Sequence, residues 1–147
     1  MRSLSKALVA TAAAITLVLG LTACTSGGAH YQEAIPKALR ATQLGVTDAW
    51  ADEGLDGFTK YLSVGVQLDE DEVTADDVRV ILGAIAESND LKADELHLTV
   101  KNVDGDYADM PAIAAALGSP ARPSADGYDL IVPMDEVASL GRTEQGT

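Results

Sequence analysis

Between positions 62 and 100 the apolar residues change their spacing twice, and this change limits the possible folds more than any other feature of the chain. Over residues 62–68 they recur at every second position, which is typical of a strand with one buried face. The spacing becomes helical over residues 78–85 and returns to every second position over residues 96–100. The apolar positions are Leu62, Val64, Val66, Leu68, Val78, Ile81, Leu82, Ile85, Leu96, Leu98 and Val100. The order strand, helix, strand indicates a helix that covers one face of a sheet.

Turn and capping residues extend this pattern on both sides. The predicted elements are a β-hairpin over residues 44–51 and 58–68, helices over 73–88 and 109–118, strands over 94–103 and 127–133, and a closing helical turn over 134–141. Thr74 and Asp77 predict a capping box, and Asp109 predicts an N-cap. We therefore expect an α+β domain with a four-stranded sheet, element order β-β-α-β-α-β, and both helices on one face.

The N-terminal segment has the features of a secretory signal peptide. Arg2 and Lys6 precede an uninterrupted run of apolar or small residues over positions 7–23, and Cys24 follows it as the only cysteine of the chain. A stable membrane span needs about 20 predominantly apolar residues, and this run is shorter and rich in alanine and threonine. Export is therefore favoured over a membrane span.

The four residues Leu21-Thr22-Ala23-Cys24 resemble the lipobox of bacterial lipoproteins, and the alanine-rich composition is similar to that of small actinobacterial lipoproteins. The resemblance implies cleavage before Cys24 and a diacylglyceryl lipid on its thiol, with palmitate-like chains in the membrane. It also implies a location on the extracytoplasmic side of the cell membrane. We expect residues 1–23 to be a signal peptide, residues 24–41 a weakly ordered lipid-anchored tether, and residues 42–147 a single acidic domain.

Charge limits the partners of this domain. The formal charge of the chain is −13, and loss of Arg2 and Lys6 with the signal peptide would make it two units more negative. Such a surface repels phosphate backbones and anionic lipid headgroups, so no nucleic-acid partner is expected. Residues 24–147 are also too few for the two lobes of a solute receptor.

No metal, cofactor or catalytic residue is predicted. The acidic stretches at 69–77 and 102–109 lack the glycine and glutamate positions of an EF-hand loop, and turns or helix starts explain their acids. After the signal peptide the chain has only His30 and His97 as histidines. Ser63 could lie opposite His97 in the sheet, but no nucleophile motif accompanies this pair.

The sheet face away from the helices is the candidate binding surface. Side chains alternate along a strand, so Ser63, Gly65, Gln67, His97, Thr99 and Lys101 are expected to share this face, which would be polar and nearly uncharged. We expect Gln67, His97 and Thr99 to contact an envelope protein or a wall component. The aromatic residues of the predicted strands are interpreted as core or hairpin-packing residues, with a ligand platform as the alternative; they are Trp50, Phe58, Tyr61 and Tyr128. The favoured function is a non-catalytic binding module; the alternatives are a small envelope hydrolase using carboxylates or His97, and an acidic ion-buffering spacer.

Overall fold

The segments with alternating apolar residues form two neighbouring parallel strands in the computed structural model, which describes residues 30–142. The strands are β1 (Val46–Asp56), β2 (Thr59–Leu68), β3 (Glu95–Lys101), β4 (Arg122–Pro123) and β5 (Asp129–Pro133). The helices are α1 (His30–Arg40), α2 (Ala75–Ser88), α3 (Met110–Leu117) and α4 (Val137–Leu140), with a 3-10 turn at Met134–Glu136. None of these described helices is long and apolar enough to cross a membrane.

The sheet is mixed and has the strand order β1-β2-β3-β5-β4. The β1–β2 hairpin is antiparallel, α2 connects the parallel pair β2 and β3, and β5 runs antiparallel to β3. The α+β class is confirmed, but the expected counts of four strands and two helices are wrong, because the described residues form five strands and four α-helices. The additional strand β4 lies in a segment predicted to be a loop, where Arg122 pairs with Ile131. Its second residue, Pro123, has no amide hydrogen, which suits the edge position of this strand.

The core lies between the helices and one face of the sheet, the helix-covered face. The predicted apolar stripe of α2 is buried there against the inward residues of β2 and β3. The capping box is confirmed, because the Thr74 hydroxyl accepts from the Asp77 amide at 3.3 Å and the Asp77 carboxylate accepts from the Thr74 amide at 2.7 Å. The Asp109 carboxylate likewise accepts from the Ala112 amide at the start of α3. Local sequence signals therefore specify where α2 and α3 begin.

The expectation of weak order up to residue 41 is wrong for residues 30–40, which form α1. Ile35 and Leu39 are fully buried in the core, and Tyr31 is nearly so. Burial, together with the negative charges of Glu53 and Asp52, raises the pKa of the Tyr31 hydroxyl. The expected start of the domain at residue 42 would therefore leave out α1, although α1 contributes buried residues to the core. The predicted signal peptide and Cys24 lie outside the described residues.

The hairpin is confirmed, but its first strand is longer than expected. β1 continues through residues 52–56, which were predicted to be a loop, and the chain reverses at Gly57 and Phe58. Gly57 has φ = 60°, a conformation that glycine adopts without steric cost. The tip leaves Leu55 73% and Phe58 106% exposed.

If α1 is part of the core, replacing Ile35 by alanine will lower the free energy of unfolding by about 2–5 kcal/mol, because a fully buried side chain leaves a cavity. The matched control is Lys37→Ala, an exposed position of the same helix, with an expected change within about 0.5 kcal/mol. Urea denaturation of the two variants measures both values. Equal stability of the two variants would show that α1 is not required for the core.

Candidate functional site

The sheet face opposite the core, the open face, carries a cleft of about 340 Å³ near the start of β1 and the end of β2. The strand register places Trp50, Gly65, Thr99 and Asp129 side by side across four strands. The cleft is lined by Asp48, Trp50, Gly65, Val66, Gln67, Thr99, Lys101, Tyr107, Asp126, Tyr128 and Asp129. The predicted sharing of one face by residues 63, 65, 67, 97, 99 and 101 is confirmed by this register.

The indole of Trp50 lines the cleft and lies directly over Gly65. A Cβ atom at Gly65 would lie 2.1 Å from the indole Nε1, so only glycine leaves room for the ring. Trp50 remains 46% exposed, so it packs on the hairpin but is not a core residue. One side of the ring is fixed by the sheet and the other side is open to the cleft.

Two tyrosines, Tyr107 and Tyr128, also line the cleft, and their ring centroids are 4.5 Å apart. Tyr107 reaches this position because the chain turns back after β3 and pairs with Lys101. The Asn102 side chain stabilises the turn by accepting from the amides of Asp104 and Asp106. The Lys101 ammonium lies 4.5 Å from the Tyr107 ring centroid, within the range of a cation–π contact.

Polar groups of the cleft are held in place by hydrogen bonds within the protein. The Thr99 hydroxyl donates to the Asp129 carboxylate. The Gln67 amide group donates to the carbonyl oxygens of Asn102 and Val103, at 3.2 and 3.4 Å, which directs its NH₂ group away from a ligand. A hydrogen bond from the Ser124 hydroxyl, and one from the Tyr128 amide, hold the pKa of Asp126 below its ordinary value. Asp126 is therefore a carboxylate at neutral pH.

Two of the three predicted contact residues, Gln67 and Thr99, line the cleft, whereas His97 does not. The imidazole of His97 stacks on Tyr61, with ring centroids 4.2 Å apart and planes inclined by 12°. Its Nε2 lies 3.3 Å from a Glu95 carboxylate oxygen, and the other oxygen accepts from Arg122 at 3.0 Å. His97 thus belongs to a separate cluster further along the open face.

The expectation of a nearly uncharged open face is wrong. Glu95 from β3, Asp129 from β5 and Arg122 from β4 all add charge to it. The strand order places β5 and β4 beside β3, and this long-range arrangement is not visible in the spacing of any one strand.

The described residues give limited support for catalytic or metal chemistry. Ser63 is the register partner of His97, but within residues 30–142 its hydroxyl forms no hydrogen bond with the imidazole. The same residues contain no group of three or more histidine, cysteine or acidic side chains that could hold a metal ion.

The sequence analysis missed Tyr107, and it considered Trp50 and Tyr128 as a ligand platform only as the alternative to a packing role. The Asp104-Gly105 turn pair was a signal that the chain could fold back and bring Tyr107 beside Lys101. Tyr128 had no comparable local signal, because its position depends on the pairing of β5 with β3.

Comparison of the chain with protein-family models, with curated proteins and with solved structures finds no match.

Replacing Gly65 by alanine will displace Trp50 from the sheet, because the added methyl group occupies the position of the indole. Trp50 is the only tryptophan, so acrylamide quenching of intrinsic fluorescence measures its accessibility directly. We expect stronger quenching and a loss of about 1–3 kcal/mol in stability. Ser63→Ala, on the same strand and face, is the control and should change neither. Unchanged quenching in Gly65→Ala would contradict the packing of the Trp50 indole on Gly65.

Proposed function

We propose that this chain is a lipid-anchored, extracytoplasmic binding module of a bacterial cell envelope, and that the cleft on the open face is its binding site. The observation that carries the proposal is the convergence of Trp50, Tyr107 and Tyr128 on one cleft while each stays about half exposed. Small-molecule sites are typically concave, rich in aromatic side chains and supplied with a few fixed polar groups. The cleft has all three properties.

The position of α1 agrees with a membrane anchor that leaves the cleft accessible. This helix packs on the helix-covered face, where Ile35 and Leu39 are fully buried in the core and Arg40 donates to the Ala49 carbonyl at 3.3 Å. The chain from Cys24 therefore enters the domain on the side of the sheet away from the cleft. Residues 24 to 30 can span at most about 20 Å, which would keep the domain close to the membrane.

A small hydrolase is the second candidate function, and one observation favours it. The contact between His97 and Glu95 could orient an imidazole for proton transfer, with Ser63 on the neighbouring strand. Within residues 30–142 the Ser63 hydroxyl forms no hydrogen bond with the His97 imidazole. Both residues also lie outside the cleft. Binding at the cleft is therefore the better-supported function.

The anchor is tested by the variant Cys24→Ala in the full-length chain, expressed in a bacterium that processes lipoproteins. We expect wild type to incorporate labelled palmitate and to sediment with membranes, and Cys24→Ala to lose the label and either be released or accumulate as an uncleaved precursor. Ser26→Ala, two residues further on, is the matched control and should behave as wild type. Membrane retention and normal processing of Cys24→Ala would disprove the anchor.

The binding function is tested by chemical crosslinking in intact cells, comparing wild type with Trp50→Ala. We expect Trp50→Ala to lose crosslinked products that wild type forms. Phe58→Ala is the matched control, because Phe58 is an exposed aromatic residue at the hairpin tip, outside the cleft. Tyr128→Ala removes a second aromatic side chain of the cleft without uncovering Gly65. Thermal melts of all variants distinguish loss of binding from loss of folding. Identical crosslinked products in all four proteins would disprove a binding role for the cleft.

A further inference from the structure

From the chemistry of the cleft lining we infer that its ligand is a neutral saccharide, bound with one pyranose ring stacked on Trp50. The inference rests on the proposed binding function of the same cleft and specifies the class of ligand. It draws on three properties of the cleft: a fixed flat platform, a mixture of hydrogen-bond donors and acceptors, and side chains that are already positioned.

The platform is the exposed side of the Trp50 indole. A pyranose ring presents a face of C–H bonds, and stacking this face on an aromatic ring removes apolar surface of both from water. Because Gly65 supports the indole from below, the ring loses little conformational freedom when a ligand stacks on it. Tyr107 and Tyr128 stand beside this platform and limit the width of the cleft.

The polar groups around the platform favour hydroxyl groups over charged groups. The carboxylates of Asp48, Asp126 and Asp129 accept hydrogen bonds, as does the side-chain oxygen of Gln67. The Lys101 ammonium and the tyrosine hydroxyls donate them. A sugar hydroxyl both donates and accepts, so it can use both sets.

Charge argues against an anionic ligand. An anion would face three carboxylates and only one ammonium group within the lining, and the chain as a whole carries −13. The same carboxylates would attract a cation, and the Lys101 ammonium, which lies 4.5 Å from the Tyr107 ring centroid, would oppose it. The Trp50 ring and the mixture of hydrogen-bond donors and acceptors suit a neutral saccharide, so a cationic probe tests the main competing class of ligand.

The size and rigidity of the cleft also agree with a short saccharide. Its volume of about 340 Å³ is at the lower end of the roughly 300–1,000 Å³ that small-molecule sites span. The hydrogen bond from Thr99 to Asp129 fixes an acceptor next to the platform, and that from Ser124 fixes Asp126. These contacts exist before a ligand arrives, so binding need not order the side chains again.

The test is a fluorescence titration of the lipidated full chain in detergent, because its single tryptophan lies in the cleft. The neutral probes are the trimers of glucose and of N-acetylglucosamine; the charged probes are trilysine and glucuronate. We expect a saturable change with at least one neutral trimer that persists at high salt, and no saturable change with either charged probe.

Variants then locate the binding site by calorimetry, which does not depend on tryptophan emission. For the trimer that binds, Asp129→Asn should raise Kd about tenfold or more, since a hydrogen bond to a charged acceptor is lost. Trp50→Ala should abolish measurable binding. The control Asp104→Asn removes the same charge from an exposed turn residue outside the cleft and should leave Kd unchanged.

Each other result overturns the inference. Saturable binding of trilysine or glucuronate without binding of either trimer would assign the cleft to a charged ligand. No fluorescence change with any probe would disprove binding of a saccharide. Equal effects of Asp129→Asn and Asp104→Asn would place saccharide binding elsewhere. Failure of the binding function itself is recognised separately, when the crosslinked products do not depend on Trp50 and no probe, neutral or charged, gives a saturable change.

Discussion

The parallel pairing of β2 and β3 is the constraint on which the core and the cleft both depend. On one side of this pair Leu62, Val64 and Leu98 are fully buried beneath the helices. Because side chains alternate along a strand, their neighbours Gly65 and Thr99 must lie on the open face. A shift of one residue in register would expose the core and bury the cleft lining. Hydrophobic burial on one face therefore also positions the binding groups on the other.

Gly65 shows how the cleft affects the stability of the sheet. A glycine inside a strand is less favourable than a residue with a side chain, because it has more freedom to lose and nothing to pack. Here the indole of Trp50 covers the glycine, and Tyr61 covers Gly54 in the same hairpin in a similar way. The aromatic rings supply packing that the glycines lack. In the case of Trp50 the packed ring also lines the cleft, so one contact stabilises the hairpin and positions a residue of the proposed binding site.

Local signals made much of this fold predictable, and long-range contacts account for what was missed. The capping box at Thr74 and the alternation around Leu98 depend only on nearby residues, and both are confirmed. α1 was underestimated because Pro36 lies inside it and because its stability comes from burial against distant strands. Gln67 and Thr99 were placed in the site from strand periodicity alone. His97 shares their face, but the loops carrying Tyr107 and Tyr128 build the cleft at the other end of β3.

The acidity of the chain does not by itself indicate a cationic partner, because many of its carboxylates have local structural partners. Asp77 and Asp109 cap helices, and Asp126 accepts from Ser124 and from the Tyr128 amide within its own turn. Such groups satisfy backbone or hydroxyl donors and do not indicate a cationic partner. Asp129 differs in its position, since it accepts from Thr99 on the neighbouring strand and lies in the same row as Trp50. For the proposed site, selectivity among neutral ligands therefore depends on where the Asp129 carboxylate lies relative to the Trp50 ring.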